Sequence, residues 1–512
     1  MGDNRDNNKR IAKNTLLLYF RMLFLMAVSL YTSRVVLNAL GVEDYGIYNV
    51  VGGIVAMFTM ISGTLSAAIS RFLTVEIGRN DKERLKIVFS SSVTIQLGLA
   101  VLIVLLVEPI GIWFLNNKMV IPVERLEVAG YVLQFSIFTF VINLISIPYN
   151  ATIIAHERMS AFAYISIVEA LGKLSIAYLI VISPIDKLLF YAILMFSVAI
   201  IIRVVYRTYC KHHFDECTYH FIFDKTLLMK MFSFAGWNFI GSTSGVLRDQ
   251  GGNLLINLFA GPAVNAARGI AMQVNHAIIS FINNFLMALN PQIIKSYATG
   301  DYSYMMTLIM QGARLGFYML LMLSLPVLVS THYILSLWLG IVPEHSVLFV
   351  QLILILSLSD SISFPLITAM LATGDIKNYQ IVVGSLQLLN IPLSYLFLSM
   401  GHIPETVTIV AIFLSQCCLV ARLVMLKRLI HLPIKKYFQN VYLNVLKVTI
   451  FALIIPFLLK SKLDEGFISF LILSLLSVLS VIFSIYIIGC NKEERFLLLT
   501  KAKSIKSKII KS

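Results

Sequence analysis

The sequence predicts an all-α polytopic membrane protein. About fourteen transmembrane helices are expected, in two six-helix lobes repeated in the same orientation, with two helices appended at the C-terminal end. Three observations carry this. First, 58% of the 512 residues are hydrophobic and only 13% are charged, whereas a soluble chain is about a quarter charged. One crossing takes roughly 20 mostly apolar residues, and the apolar stretches supply about fourteen such runs. Second, Lys and Arg are biased toward alternate connections, 29 in one set against 5 in the other. Five lie in each of 70–86, 203–230 and 422–440 and seven in 490–512, against one or two in 109–126, 183–187 and 460–466. The asymmetry predicts cytoplasmic N- and C-termini. It assigns the net charge of +15 to topology and anionic-lipid contact rather than to nucleic acid.

The third observation is an internal repeat. NALGVEDYGIYNVVGG (38–53) and NLFAGPAVNAARGIAM (257–272) both read as helix–turn–helix corners, with Gly41 matching Gly261 at an offset of 220 (261 − 41). TVEIGRND (74–81) resembles SYATGDYS (296–303), with Gly78 matching Gly300 at 222 (300 − 78). IAHERMSAFAYI (154–165) lies at a similar distance from LATGDIKNYQIV (371–382). Six helices per half is an even number, so the halves repeat in parallel about an axis along the membrane normal.

Taken in order, the expected crossings are 15–39, 47–69, 87–108, 126–148, 161–182, 188–208, 233–259, 262–288, 309–331, 347–371, 380–400, 406–426, 441–459 and 467–489. The polar, basic stretch before residue 15 leads into an apolar run too long for a signal-peptide core and lacking a small-residue cleavage site. It reads as a retained first helix. The N-terminal lobe is 1–208, and 209–232 is a cytoplasmic linker whose FIFDKTLLMKMF stretch suggests an amphipathic helix at the interface. The C-terminal lobe is 233–428, helices 13 and 14 fall in 429–489, and 490–512 is a basic cytoplasmic tail. Cys210 and Cys217 fall in the linker, Cys417 and Cys418 in a helix and Cys490 at the start of the tail, a distribution that suggests no disulfide framework.

The stretch 237–295 spans two crossings yet is unusually polar. Ionisable groups at membrane depth are costly and by default face a polar path. Asn238, Ser242, Asp249, Asn253 and Asn257 share one face of the seventh helix, where Gly241, Gly245 and Gly252 leave room for a bulky ligand or a neighbouring helix. Asn265, Arg268, Asn275, Asn283 and Asn290 mark the eighth. A turn at Gly261 and Pro262 makes the two helices antiparallel neighbours, which brings Arg268 within reach of Asn253 or Asp249. The functional reading is the polar wall of a water-filled cavity with Arg248 as a ligand for an anionic group. The plainer reading is packing through small residues and amides.

Elsewhere, Glu169 and Lys173 are spaced for an intrahelical ion pair. Arg21 and Arg34 lie near opposite ends of the first helix and can snorkel to headgroups, although matching helices 1 and 7 gives Arg34 a cavity role. Arg314 is expected to snorkel. His276 is the one histidine within a crossing, either a proton-coupling group or a hydrogen-bonded packing residue. CKHHFDECTYH (210–220) has metal-binding residue types without a ligand spacing, so neither metal nor cofactor is expected. There is no P-loop, nucleophile elbow or acidic surface cluster, and the chain reads as one that moves a substrate rather than converts it.

These residues resemble a family. The LGVEDYGIYNVV corner, the QGGNLLINLFAGPAVNAARGIAMQVN and NPQIIKSYATGD segments and the two-halves layout are similar to the polysaccharide-exporter (Wzx-type) branch of the multidrug/oligosaccharidyl-lipid/polysaccharide exporter superfamily, over essentially the whole chain. The resemblance implies a V-shaped cavity between the lobes. It also implies flipping of polyprenyl-pyrophosphate-linked oligosaccharides across a bacterial inner membrane for O-antigen (lipopolysaccharide), capsule or exopolysaccharide assembly. Arg34, Lys173, Arg248 and Arg268 occupy places suited to the anionic headgroup, which arginine grips through paired hydrogen bonds. Asn253, Asn257 and Asn275 suit sugar hydroxyls. Glu169, Asp249 and His276 are candidates for coupling to H⁺ or Na⁺, and polysaccharide-assembly proteins are possible partners. The alternatives are a multidrug cation exporter of the same fold, a flippase for peptidoglycan or teichoic-acid precursors, and a membrane-embedded polymerase or ligase. The last usually works through a large outer loop, which is missing from this pattern.

Overall fold

The computed structural model describes residues 2–56, 59–117, 121–222, 224–340, 342–460, 462–463, 466–490 and 494–495. Among them there is no strand. The helices of the first half are α1 (Gly2–Ala56), α2 (Thr59–Arg79), α3 (Lys82–Asn117), α4 (Val123–Ala155), α5 (Met159–Leu179) and α6 (Lys187–His213). Next come α7 (Lys225–Ala298), α8 (Tyr302–Val329), α9 (Thr331–Leu339), α10 (Ser346–Ser361), α11 (Phe364–Thr373), α12 (Lys377–Leu388), α13 (Asn390–Ser399) and α14 (Thr406–Ile430). The last are α15 (Ile434–Tyr437), α16 (Leu443–Lys460) and α17 (Phe467–Ser484).

Ten helical spans among the described residues are long and apolar enough to cross a membrane, or eleven if the pair α10 and α11, bent by 42°, is counted as one. The expected fourteen is therefore not reached. The three further segments, 15–39, 47–69 and 233–259, are helical for all their described residues but do not count among the ten. The linker also differs from expectation. Residues 225–232 are the first turns of α7 rather than a separate interfacial helix, because the apolar–basic mixture runs into an uninterrupted helical sequence. Asp224 caps that helix by accepting from the Thr226 and Leu227 amides.

The chain forms two compact units, 1–239 with 294–301, and 240–293 with 302–512. Each carries the same sharp corner. Gly41 bends α1 at φ 82, ψ 168, and Gly261 bends α7 at φ 82, ψ 176. This region is essentially closed to residues with a Cβ, so the first sequence match is a match in backbone geometry. The second match shifts by two residues. The left-handed position that follows α2 is Asn80 (φ 58) and the one that follows α7 is Gly300 (φ 76), an offset of 220 (300 − 80). Gly78 is instead small because a Cβ there would come 2.8 Å from that of Ala298. The third match holds, with Glu157 (φ 57) and Gly374 (φ 80) both left-handed.

At the start of α4, Arg125 donates to Asp44 at 2.7 Å and to Asp186, the N-cap of α6. In the second unit His345, just before α10, pairs with Glu405, just before α14, at 2.6 Å. The two clasps stand at nearly the same offset, 220 (345 − 125) and 219 (405 − 186).

Candidate functional site

The site grows out of the Gly261 corner. Residues 249 and 268 would lie about 28 Å apart on a straight helix. Yet Arg268 Nη1 donates to the Asp249 carbonyl at 3.0 Å and to Asn253 Oδ1. The two arms of α7 fold back on each other, and Arg268, 6% exposed, is buried between them. Gly252 makes the room. A Cβ there would come 3.2 Å from Arg268 Nη2 and 3.1 Å from Val407 Cγ1. Arg248 Nε pairs with Asp249 Oδ1 at 3.0 Å. Among the described residues, Arg248 keeps Nη1 and Nη2, and Arg268 keeps Nη2, free of hydrogen bonds. The buried Nε of Arg268 also lacks a partner.

These groups open on a cavity of about 190 Å³ within the second unit. Its polar lining is Arg248, Asp249, Arg268, Asn275, His276, Ser357, Asp360, Asn390 and Thr408, with Met272, Ile279, Ile353 and Leu356 among its apolar walls. Ser357 donates to Asn275 Oδ1 at 2.6 Å, and Asn390 donates to the Val407 carbonyl at 3.2 Å. Asp360 sits at the break between α10 and α11 and accepts from Ser415 at 2.5 Å. Broken membrane helices recur where a transporter lines a polar path.

Of the residues singled out in the sequence, Arg248, Asp249, Arg268, Asn275 and His276 meet at this cavity, and Asn253 supports Arg268 from its edge. Asn257 is exposed and does not line it. Lys173 and Glu169 belong to the first unit and pair with each other at 2.6 Å, so Lys173 is already neutralised. The side chain of Arg34 lies outside the described residues. Two snorkelling expectations are corrected. Arg21 stacks on Phe162, 4.4 Å from the ring centroid. Arg314 pairs with Glu494 at 2.5 Å and donates to the Gly489 carbonyl at 3.0 Å, because the chain after α17 returns alongside α8.

Sequence reasoning left Ser357, Asn390 and Thr408 unremarked and gave Asp360 no role in the site. The available signal was SLSDSISFP (357–365), with serines at alternate positions around an Asp and a Pro at the end. Arg422, within the 422–440 connection by sequence, is buried on α14, 4% exposed and 3.4 Å from Tyr379 Oη. In the CKHHFDECTYH run, Glu216 pairs with His156 at 2.5 Å, while His212 and His213 each turn Nδ1 to a carbonyl of their own helix. A hydrogen bond with Cys210, with burial second, pushes the Cys217 thiol far up. No group of three or more His, Cys, Asp or Glu among the described residues is placed to hold a metal ion.

The family model for polysaccharide biosynthesis proteins matches residues 11–299, more than half of the chain and both arms of α7. The chain belongs to the polysaccharide biosynthesis protein family. No curated protein matches it in sequence. Solved structures similar to this polysaccharide biosynthesis family member are transporters. One is a MATE protein in its bent conformation (13% identity, TM-score 0.71, covering 83% of this chain and 96% of that one). Another is an outward-facing multidrug resistance MATE family transporter of the MOP superfamily (13%, 0.68, 83% and 96%). A third is a MOP superfamily transporter from Pyrococcus furiosus Vc1 (DSM3638), in which the reverse polarity of the binding pocket suggests a different function (14%, 0.64, 82% and 96%). At these identities the likeness is one of fold. Family and apolar helices together make this a multi-pass membrane protein of polysaccharide biosynthesis, and its fold is the one these transporters have.

Proposed function

We propose that the protein flips polyprenyl-pyrophosphate-linked oligosaccharide repeats from the cytoplasmic to the outer leaflet of a bacterial plasma membrane by alternating access. Such repeats feed O-antigen, capsule or exopolysaccharide assembly, and the N- and C-termini are cytoplasmic. The observation that carries this reading is the pair Arg248 and Arg268, which share one cavity and hold free guanidinium N–H groups. Pyrophosphate offers several anionic oxygens to such donors, and charge-assisted bonds of this kind are roughly twice as strong as neutral ones. The cavity, at about 190 Å³, is smaller than the roughly 300 Å³ at which drug-sized pockets begin, which suits a headgroup rather than a whole repeat. Asn275 and Asn390 provide amides for the first sugar. Asp249 and His276 border the same space and are the coupling candidates for H⁺ or Na⁺, with Glu169 the candidate in the first unit.

The test replaces Arg248 and Arg268 singly by alanine. Each variant should lower surface polysaccharide at least about tenfold, as the loss of one charge-assisted contact implies, and lipid-linked oligosaccharide should accumulate on the cytoplasmic leaflet. Undiminished surface polysaccharide in both variants would sink the assignment. A second reading, a multidrug cation exporter, is favoured by Asp249 and Asp360 at the same cavity. That reading expects Asp360→Asn to abolish drug efflux while polysaccharide stays normal. A flippase for peptidoglycan or teichoic-acid precursors would use the same arginines.

A further inference from the structure

The larger cavity described, about 660 Å³, lies wholly in the first unit, where the start of α1, the α2–α3 corner, the α4–α5 corner and the end of α6 meet. Three of its five carboxylates face a basic side chain, although Glu76 Oε2 is buried without a partner. Glu157 pairs with Arg10 at 2.9 Å, Glu216 with His156 at 2.5 Å and Glu76 faces Arg79 at 3.5 Å. Asp81 accepts from the Arg84 amide at 2.9 Å. The cations are not all engaged. Lys13 from α1, Lys82 from α3 and Arg158 from the α4–α5 corner line the cavity, and among the described residues none makes an ion pair or a side-chain hydrogen bond. Asp215 is in that condition too, and Asp81 meets only a neutral amide, which leaves three unpaired cations against two unpaired anions. Arg158 is also the N-cap of α5, a 21-residue helix whose first amides receive no side-chain cap, and Ser160 of that first turn lines the same space. Uncapped amides at a helix start favour an anion, and adjacent cations add to the attraction.

We propose that this cavity is a second anion site, which takes a phosphate group through Lys13, Lys82, Arg158 and the first amides of α5. Basic residues that serve topology alone have no need to converge from three separate elements on one cavity. The phosphate belongs either to a soluble molecule or to a lipid headgroup, since both offer the same oxygens.

The test uses the full chain in the Arg248→Ala/Arg268→Ala background, so that the cavity of the second unit contributes nothing and failure here leaves the flipping proposal standing. Inorganic pyrophosphate is titrated calorimetrically into detergent-purified protein. In parallel, nanodiscs of phosphatidylcholine with phosphatidic acid are read for retained lipid by native mass spectrometry. If the source is soluble, pyrophosphate binds, binding weakens with salt, and adding Lys13→Gln, Lys82→Gln and Arg158→Gln lowers affinity at least about tenfold. If the source is a lipid, pyrophosphate fails to bind but phosphatidic acid is retained and then lost with the same three changes. Exchanging the three cations for one another (Lys13→Arg, Lys82→Arg, Arg158→Lys) should keep binding and shows that folding is not the cause. Binding of neither probe in the background protein, or equal binding after the three Gln changes, overturns the proposal.

Discussion

At the scale of single residues, Gly252 decides the geometry of the site. It permits the Arg268 guanidinium to lie against the opposite arm of α7, where a methyl would stand 3.2 Å from Nη2 and 3.1 Å from Val407. Gly252→Ala gains about 1 kcal/mol in helix propensity but must displace Arg268 by a few tenths of an ångström. The expected outcome is a melting temperature within a few degrees of the parent and transport reduced several-fold, as misplacement of a binding group reduces rates. Transport equal to the parent would show that Arg268 has no fixed position to defend. The residue scale is also where local reasoning reached furthest and then stopped. The reach of Arg268 toward Asn253 and Asp249 follows from spacing around a turn. The pairing of Arg314 with Glu494, 180 residues on, does not, because it depends on where the chain after α17 comes to rest.

At the scale of elements, the clasp of Arg125 with Asp44 and Asp186 ties the Gly41 corner to the starts of α4 and α6. Burial pushes the Asp186 carboxyl up, but the Leu189 amide, the Arg125 guanidinium and the Leu188 amide outweigh it and hold the group below the usual carboxylate range. A carboxyl whose folded value is depressed contributes stability above its unfolded value and loses that contribution as pH falls through the folded one. Thermal melting should therefore show a stability increment at neutral pH that fades on acidification below about pH 4. Asp186→Asn should be less stable at neutral pH and should lack this part of the acid dependence. An unchanged acid profile in Asp186→Asn would remove the clasp from the stability of the first unit. The counterpart clasp, His345 with Glu405, has lost the third member, since Val264 stands where the offset of 220 from Asp44 (44 + 220) would put it.

The repeat itself was legible because a corner glycine in a forbidden backbone region is a local requirement. Gly41 and Gly261 adopt nearly the same angles. The pairing of Gly78 with Gly300 was two residues out because glycine serves two needs, positive φ at 300 and close packing at 78. Letters alone do not separate those needs.

At the scale of the whole molecule, topology is the testable consequence of the charge distribution. With the native cysteines replaced, Asp215→Cys should resist a membrane-impermeant maleimide in intact cells and react after permeabilisation, whereas Ile185→Cys should react from outside. The opposite pattern would invert the orientation and with it the proposed direction of flipping. The sequence by itself determined the helical membrane class, the repeated corner and the concentration of polar residues on α7. Hydropathy, charge asymmetry and the glycine φ requirement act over a few residues and are written locally. The tertiary structure alone decided which polar groups of other helices meet those of α7. Asp360, Ser357, Asn390 and Thr408 join Arg248 and Arg268 only because α10, α13 and α14 pack beside α7, while Lys173 pairs with Glu169 within the first unit. Such convergence depends on helix packing between residues 89 to 160 positions apart (357 − 268 and 408 − 248), a distance over which side-chain periodicity carries no information.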